Sequence, residues 1–282
     1  MSAAGTVSLG GLDVSRLGFG AMRITGPGVW GPPADRDGAI AVLRRAVSLG
    51  VDFIDTADSY GPNVSEELIA QALAPYDGVV VATKAGLTRS GPGAWSPDGR
   101  PEHIASALEG SLARLKVDCI DLYQFHRPDP AVPFAESLGA FAEAQQAGKV
   151  RHIGLSNVSV SQLEEALGIV EIVSVQNRYS AADRDSQDVL DACTARGIAF
   201  IPWFPLAAGS LAASDGALAR VARAHDATAG QVALAWLLAG SPVMLPIPGT
   251  SSVAHLEENV AAASLQLSAA EVDELNRAAR EA

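Results

Sequence analysis

The sequence lacks the features of several protein classes. Its 282 residues contain two cysteines, Cys119 and Cys193. Their neighbours (VDCID and LDACTA) predict a strand and a helix, so we interpret both as small buried groups rather than a disulfide or zinc site, and expect no metal. No apolar run reaches the roughly 18 residues of a membrane span, and MSAAGTVSLGG has no basic start followed by an apolar stretch. We expect a soluble, cytoplasmic protein without a membrane partner.

Clustered positive charge is also missing. The chain has 20 Lys and Arg against 32 Asp and Glu, a formal net charge of −12. A nucleic-acid surface needs clustered cations to neutralise phosphates, so this composition argues against nucleic acid and leaves small ligands open. With 48% hydrophobic residues, the length suits one large α/β barrel or two modest domains. No linker divides the chain, and we predict one domain over residues 1–282.

What the sequence does contain is an alternation of short apolar runs with amphipathic helical patterns. First, VSLGGLDVSRL predicts an antiparallel hairpin that turns at Gly10 and Gly11 and could close one end of a barrel. Eight strand–helix units then follow. Their strands are expected at residues 17–20, 51–55, 78–84, 118–126, 151–157, 171–177, 198–203 and 242–249.

Eight parallel units in about 250 residues predict a (β/α)8 TIM barrel with extra helices, whose active site lies at the carboxyl ends of its strands. The competing architecture is a doubly wound dinucleotide-binding fold. That fold normally shows a G-x-G-x-x-G turn after its first strand. Gly18 and Gly20 have the first spacing, but Arg23 stands where the third glycine is required.

Polar side chains end most of the predicted strands. They are Asp55, Lys84, His126, Ser156, Asn157 and Gln176. Any one of them could simply mark the exit of a strand. Ionisable groups at three consecutive strand ends, together with Tyr60 in the loop after the second strand, favour an active site, because strand ends converge in a barrel.

The chemistry open to this set is specific. A tyrosine hydroxyl can protonate a carbonyl oxygen as hydride reaches the carbon, but its ordinary pKa of about 10 makes it a weak acid near neutral pH. We expect Lys84 to lower the pKa of Tyr60, and Asp55 to keep Lys84 charged and oriented. His126 is expected to hydrogen-bond the substrate oxygen.

Six motifs resemble those of the aldo-keto reductase superfamily, in order and over nearly the whole chain. They are FIDTADSYG, VVVATKAG, DLYQFHRPD, RHIGLSN, VSVQNRY and LPIPGTSSVAHLEEN. The resemblance implies a catalytic tetrad of Asp55, Tyr60, Lys84 and His126, with Tyr60 as general acid in the reversible, NAD(P)H-dependent reduction of an aldehyde or ketone. The pattern is especially similar to a bacterial branch that contains pyridoxal reductases (pyridoxine 4-dehydrogenases), which implies pyridoxal as the substrate to test.

The resemblance also implies a dinucleotide that lies across the barrel without a glycine fingerprint. Ser156, Asn157 and Gln176 would bind the nicotinamide carboxamide. Trp203 would stack on the ring, unless it is a core residue closing the seventh strand. Backbone amides at the start of the last predicted helix would bind phosphate. The expected cofactor-binding residues are Gly20, Met22, Arg23, Asp55, Ser156, Asn157, Gln176, Trp203, Phe204, Pro205, Leu206, Gly209, Leu211, Ile247, Gly249, Thr250, Ser251, His255, Glu258 and Asn259.

Gly249 and His255 stand where many members of the superfamily carry Lys and Arg. An arginine binds a 2′-phosphate through two parallel hydrogen bonds, whereas a histidine offers less and depends on pH. The hydroxyls of Thr250 and Ser251 still favour NADPH. NADH is the alternative cofactor.

Gly/Pro-rich segments at residues 25–33, 85–100 and 126–133 are predicted as loops at the active-site end, where barrel enzymes carry their specificity. The expected substrate contacts are Trp30, Tyr60, Trp95, His126 and Arg127. The two tryptophans would line a pocket for a flat ring, or else only anchor their loops.

Two other functions stay open. Some members of the superfamily act mainly as NADPH-binding regulatory subunits of potassium channels. An unrelated barrel enzyme, a lyase or an isomerase, could use Lys84 as a Schiff-base amine. In the reductase interpretation the partner is a small carbonyl compound, and the chain is a monomer or a weak homo-oligomer.

Overall fold

A curled parallel sheet lies at the centre of the structure, a computed structural model that describes residues 4–206 and 216–281. The strands are β1 (Thr6–Leu9), β2 (Leu12–Ser15), β3 (Phe19–Gly20), β4 (Phe53–Asp55), β5 (Val80–Ala85), β6 (Leu87–Gly91), β7 (Ala94–Pro97), β8 (Ile120–Phe125), β9 (Val150–Ser156), β10 (Ile172–Gln176) and β11 (Ala199–Phe200). The seven-stranded sheet has the order β3-β4-β5-β8-β9-β10-β11, and all of its pairings are parallel. Two antiparallel hairpins, β1–β2 and β6–β7, lie outside it.

One irregular segment closes this sheet into a barrel. On one side, the amide of Phe200 donates to the carbonyl of Val243 at 2.9 Å, and the amide of Leu245 donates to the carbonyl of Phe200 at 2.8 Å. On the other side, the amide of Gly18 donates to the carbonyl of Pro246 at 2.9 Å. Because proline has no amide hydrogen, the segment cannot form a regular ladder. The eighth strand thus occupies its predicted position in irregular form, and the predicted (β/α)8 architecture is confirmed.

Helices surround the barrel in the order expected from the periodicity. They are α1 (Arg36–Ser48), α2 (Val64–Leu73), α3 (Pro101–Leu115), α4 (Phe134–Gln146), α5 (Val160–Leu167), α6 (Gln187–Arg196), α7 (Ala217–Ala224), α8 (Ala229–Gly240), α9 (Val253–Ala261) and α10 (Ala269–Glu281). Side-chain caps begin several of them: the carboxylate of Asp35 accepts from the amide of Gly38 at 2.8 Å before α1, and Thr228 forms a capping box with Gln231 before α8. None of these helices, within the described residues, has the length and apolarity to cross a bilayer.

The β1–β2 hairpin covers the amino-terminal end of the barrel. Leu9 and Val14 pack into the cluster that fills the barrel interior, together with Phe53 of β4. At the turn, a side chain on Gly10 would meet His152 at 2.5 Å, and the φ of Gly10 is +64°, so only glycine fits. With this end covered, the carboxyl ends of the strands are the open side.

Three features differ from the sequence-based expectation. The segment SEELIAQALAPY predicts a helix with Ser65 as its cap, whereas helix α2 begins after Asn63, which has a left-handed φ of 70°. The hydroxyl of Ser65 is buried instead and accepts from Thr56 Oγ1 at 2.7 Å. In addition, β6–β7 forms within a stretch read as a loop, and α10 was not expected.

Arg16 ties the closing segment to the end of α8. Its Nε donates to the carbonyl of Met244 at 3.3 Å, and its Nη2 donates to the carbonyls of Leu238, at 2.7 Å, and Ser241. Leu238 lies in the last turn of α8, where carbonyls lack helical partners and the helix dipole favours a cation.

We expect Arg16→Met to lower the free energy of unfolding by about 2–3 kcal/mol, because it removes charge-assisted hydrogen bonds and leaves carbonyls without a donor. Urea denaturation measures this. Arg36→Met is the matched control, because Arg36 bonds only Gln71 at an exposed position, and its loss should be below about 1 kcal/mol. Equal losses in the two variants would refute the role given to Arg16.

Candidate active site

A buried ion pair occupies the carboxyl ends of β4 and β5. Lys84 Nζ lies 2.6 Å from Asp55 Oδ1, and the side chains are 0% and 2% exposed. The same ammonium donates to the carbonyl of Thr56 at 2.8 Å. Burial lowers the pKa of Lys84 from its usual value, and the charge of Asp55 opposes that shift. Each group therefore stabilises the charged form of the other.

Two glutamines hold the second oxygen of the carboxylate. Gln124 Nε2 donates to Asp55 Oδ2 at 2.9 Å, and Gln176 Nε2 donates to the same atom at 2.8 Å. Gln124 lies two residues before His126, so both face the barrel interior. The two-residue spacing from His126 therefore indicates in the sequence that Gln124 faces the site, although Gln124 is not among the predicted site residues. Gln176 was expected to bind a carboxamide, and its Oε1 is the atom left to do so.

Tyr60 lies over this pair. Lys84 Nζ is 5.3 Å from the centre of the Tyr60 ring, and the rings of Tyr60 and His126 meet edge to face at 5.8 Å. Burial raises the pKa of Tyr60 well above its usual value, and the charges of Asp55 and Asp58 raise it further. The expected net lowering of this pKa by Lys84 is therefore not seen, because burial and the two acids together outweigh the favourable positive charge nearby. Tyr60 is a protonated phenol at neutral pH.

His126 is a neutral imidazole. Burial holds its pKa well below the usual value, and the charges of Lys84 and Arg127 lower it further. Its Nδ1 lies 3.4 Å from the hydroxyl of Ser59. Donation by that hydroxyl to Nδ1 leaves the ring hydrogen on Nε2, so that Nε2 is the donor available to a ligand.

The side chain of Asn157, directly after β9, forms hydrogen bonds with residues at the ends of nearby strands. Its Nδ2 donates to the carbonyl of His126 at 3.0 Å and to Ser156 Oγ at 2.9 Å, and its Oδ1 accepts from Trp203 Nε1 at 3.2 Å. Trp203 is half-buried, which disagrees with its alternative reading as a core residue. Phe204, beside it, is 47% exposed. A large aromatic surface is therefore available at this edge of the barrel.

The backbones of β3 and the closing segment approach closely. A side chain on Gly249 would lie 2.5 Å from the carbonyl oxygen of Gly20, and one on Gly20 would lie 2.6 Å from that of Ile247. A lysine at position 249 would thus displace the backbone of β3. We call the facing backbones of Gly20 and Gly249, which leave no room for a Cβ, the glycine cradle. The exposed side chain of Arg23 begins beside it, with Cγ 3.6 Å from where a Cβ on Gly249 would lie.

Helix α9 follows this cradle, with a start that differs from the expectation. Its first residue is Val253 and its cap is Ser252, which accepts from the amide of His255. Thr250 and Ser251 therefore precede the helix instead of forming its first turn. The amino-terminal end of α9 still presents backbone amides, which suit phosphate.

The other expected cofactor residues fall into three groups. Met22 follows β3, and Pro205 and Leu206 follow β11, with Leu206 exposed and Pro205 buried, whereas Ile247 is buried in the cluster that fills the barrel interior. His255, Glu258 and Asn259 lie on α9, with Asn259 buried. Gly209 and Leu211 lie outside the described residues.

Trp95 of β7 stands above the reactive groups. Its ring meets that of Tyr60 at 6.3 Å and that of His126 at 6.5 Å, both edge to face. Trp30 is held by a bridge to Gly61, and Arg127 is exposed. The structure therefore brings Trp95 to the site, whereas no contact joins Trp30 or Arg127 to Tyr60 within the described residues.

Asp58 is a buried acid beside this site that the sequence analysis did not consider. Its Oδ1 has no hydrogen-bond donor among the described residues. Burial, and then the negative charge of Glu66, raise the pKa of Asp58 to about 8. Glu66 is itself paired with Arg114 at 2.6 Å. Asp58 is thus protonated at neutral pH.

Comparisons with known proteins agree with this geometry. A model of the family described as Aldo/keto reductase family matches residues 16–280. A Schizosaccharomyces pombe protein named uncharacterized oxidoreductase C215.11c is 50% identical over 267 residues, which cover 95% of this chain and 87% of that protein. Pyridoxine 4-dehydrogenase of Escherichia coli is 46% identical over 284 residues, covering 98% and 99%.

A solved structure adds a bound cofactor to the comparison. An aldo/keto reductase from Klebsiella pneumoniae, crystallised in complex with NADP and acetate, superposes with a TM-score of 0.81 at 28% identity. The superposition covers 96% of this chain and 94% of that one.

The raised pKa of Asp58 predicts how stability depends on pH. A carboxyl group whose pKa is higher in the folded state favours folding while it is protonated, and this contribution is lost as pH rises from about 4 to about 8. The free energy of unfolding of the wild type, relative to Asp58→Asn, should fall across that window by up to about 1.4 kcal/mol per pH unit. Urea titrations of both proteins at several pH values measure it, and a constant difference would contradict the buried neutral acid.

Proposed function

The chain belongs to the aldo/keto reductase family, and from that premise we propose that it reduces an aldehyde to an alcohol, and oxidises the alcohol in reverse, with Tyr60 as the proton donor. The family makes the chain an oxidoreductase. One observation carries the assignment of the acid. The buried Lys84–Asp55 pair lies beneath the ring of Tyr60, at 5.3 Å, with the imidazole of His126 at its edge.

NADPH is the proposed cofactor, and when bound it supplies the hydride. The glycine cradle beside Arg23, the amides that begin α9 and the exposed aromatic surface at Trp203 all suit a dinucleotide. We assign Ser156, Asn157 and Gln176 to the carboxamide. Two facts support NADPH over NADH: the exposed side chain of Arg23 begins beside Gly249, and the Klebsiella pneumoniae structure holds NADP.

Side chains of the protein carry out and support the proton transfer. The phenol of Tyr60 donates its proton to the carbonyl oxygen of the substrate as negative charge develops there. His126 donates a hydrogen bond to the same oxygen from Nε2, and needs no charge to do so. The ammonium of Lys84 stabilises the phenolate that remains, and Gln124 keeps the carboxylate of Asp55 fixed for it. Solvent returns the proton to Tyr60.

Pyridoxal is the proposed substrate. The proposal rests on the Escherichia coli relative named pyridoxine 4-dehydrogenase, with 46% identity across nearly both chains, and on Trp95, whose ring offers a wall for a flat heterocycle next to Tyr60. A Schiff-base role for Lys84 is disfavoured, because its Nζ is buried and bonded to Asp55 and the carbonyl of Thr56. Other small aromatic or aliphatic carbonyls are the alternative substrates.

Tyr60→Phe tests the proton donor and separates an enzyme from an NADPH-binding regulatory subunit. We expect turnover to fall by about 10²- to 10⁴-fold, the contribution of a positioned general acid, while NADPH affinity, measured by fluorescence quenching, stays unchanged. Tyr76→Phe is the control, since its hydroxyl only donates to the carbonyl of Leu115. Full turnover in Tyr60→Phe would remove the phenol from the mechanism.

A substrate panel followed by NADPH absorbance tests the pyridoxal assignment. We expect kcat/KM for pyridoxal to exceed that for benzaldehyde and for simple aliphatic aldehydes by about tenfold or more, as about 1.4 kcal/mol of ring recognition would give. The KM for NADPH should also be lower than that for NADH. Much faster turnover of simple aromatic aldehydes would reject pyridoxal, and a clear preference for NADH would reject the cofactor assignment.

A further inference from the structure

Arg89 of β6 joins three separate segments next to the active site. All of its N–H groups donate to backbone carbonyls. The acceptors are Val29 (2.7 Å), Gly28 (2.8 Å), Ala94 (2.9 Å), Ser59 (3.0 Å) and Gly91 (3.3 Å). Gly28 and Val29 belong to the loop after β3, and Ser59 directly precedes Tyr60. An arginine has five N–H donors, so this guanidinium has its full set of partners.

The same guanidinium lies flat against Trp95. Its central carbon is 3.6 Å from the centre of the Trp95 ring and 5.8 Å from that of Trp30. Trp95 in turn meets the rings of Tyr60 and His126 edge to face. The position of this indole over the site is therefore set by Arg89, through stacking from one side and through the hydrogen bond to the neighbouring Ala94.

The charge of Arg89 is not neutralised by an acid. None of the ion pairs in the described part of the chain includes it, whereas arginines such as Arg45, Arg114 and Arg151 do pair with carboxylates there. Carbonyl dipoles alone balance it. The positive charge of Arg89 lowers the pKa of Tyr60, against the larger effect of burial.

The charged and titratable groups that face Tyr60 come from four elements. They are Asp55 and Asp58 at and after β4, Lys84 on β5, Arg89 on β6 and His126 after β8. Asp55 opposes negative charge on the phenol, and Asp58 does so once the pH exceeds its raised pKa of about 8. Lys84 is balanced by Asp55, and His126 is neutral. Arg89 is thus the cation in this set whose charge no carboxylate offsets.

We propose that Arg89 is a positioning residue of this site, which fixes Trp95 as the wall of the substrate pocket and favours negative charge on Tyr60 during proton transfer. The proposal rests on the proposed function, because Tyr60 is the proton donor there. It assigns specificity for flat aromatic aldehydes to the β6–β7 hairpin.

Arg89→Met and Arg89→Lys separate the two effects, with Arg100→Met as the matched control. Arg100 follows the same hairpin and pairs with Asp98 at 2.7 Å at an exposed position. In Arg89→Met we expect the KM for benzaldehyde to rise about tenfold and that for propanal by less than about twofold, because only a flat ring uses the indole wall. The rise of alcohol oxidation with pH should move up by about one pH unit, because the phenolate loses a favourable charge.

Arg89→Lys keeps the charge but not the planar fork. It should therefore restore the pH dependence of the wild type while the KM for benzaldehyde stays raised. Arg100→Met should match the wild type in both. If Arg89→Met behaves like Arg100→Met in both measurements, Arg89 is only structural and the proposal is overturned. Circular dichroism checks folding, and Arg89→Lys decides the KM effect if Arg89→Met does not fold.

A measurement that needs no turnover distinguishes this proposal from the proposed function. Acrylamide quenching of Trp95 fluorescence, taken as the difference between each protein and its Trp95→Phe counterpart, should increase in Arg89→Met or Arg89→Lys but not in Arg100→Met. Unchanged quenching would overturn the positioning role. A wild type that turns over no aldehyde, but shows the expected quenching, would instead refute the proposed function and leave Arg89 as the residue that positions Trp95.

Discussion

The ion pair between Lys84 and Asp55 is the interaction on which the site depends. Two buried charges lose their hydration, and their mutual attraction offsets that loss only when the remaining donors and acceptors are also satisfied. Here Gln124 and Gln176 serve the second carboxylate oxygen, and the carbonyl of Thr56 serves the ammonium. The pair and these partners come from four different strands, so the complete hydrogen-bond network around the pair forms only once those strands have assembled. Catalytic geometry and fold are specified together.

Much of this site could be predicted because of strand periodicity. Asp55, Lys84 and His126 each end an apolar run, and parallel strands in a barrel bring such ends together. Gln124 lies inside its run, and nothing local shows that its partner is a carboxylate 69 positions earlier. The pKa of Tyr60 depends on the sum of burial and surrounding charges, which no spacing in the sequence supplies.

Two elements were missed for different reasons. The β6–β7 hairpin lies in a Gly/Pro-rich stretch, and Arg89 fixes it through carbonyls of distant loops, so its strands depend on tertiary contacts. Helix α10, in contrast, has a sequence signal: Val272, Leu275 and Ala279 recur at helical spacing and pack against the core. The eighth strand was placed correctly, but Pro246 prevented the regular hydrogen bonding that a strand requires.

The irregular closure of the barrel has a consequence for ligand binding. Regular hydrogen-bond ladders join the other neighbouring strands. At the closing segment, a few hydrogen bonds to β11 and to Gly18 form an irregular seam. Arg16 lies near one end of this seam, and the facing backbones of Gly20 and Gly249 lie at the other. A molecule that contacts both of those glycines would hold the two sides of the seam together. Binding of such a molecule and resistance of the whole barrel to opening would therefore be thermodynamically linked.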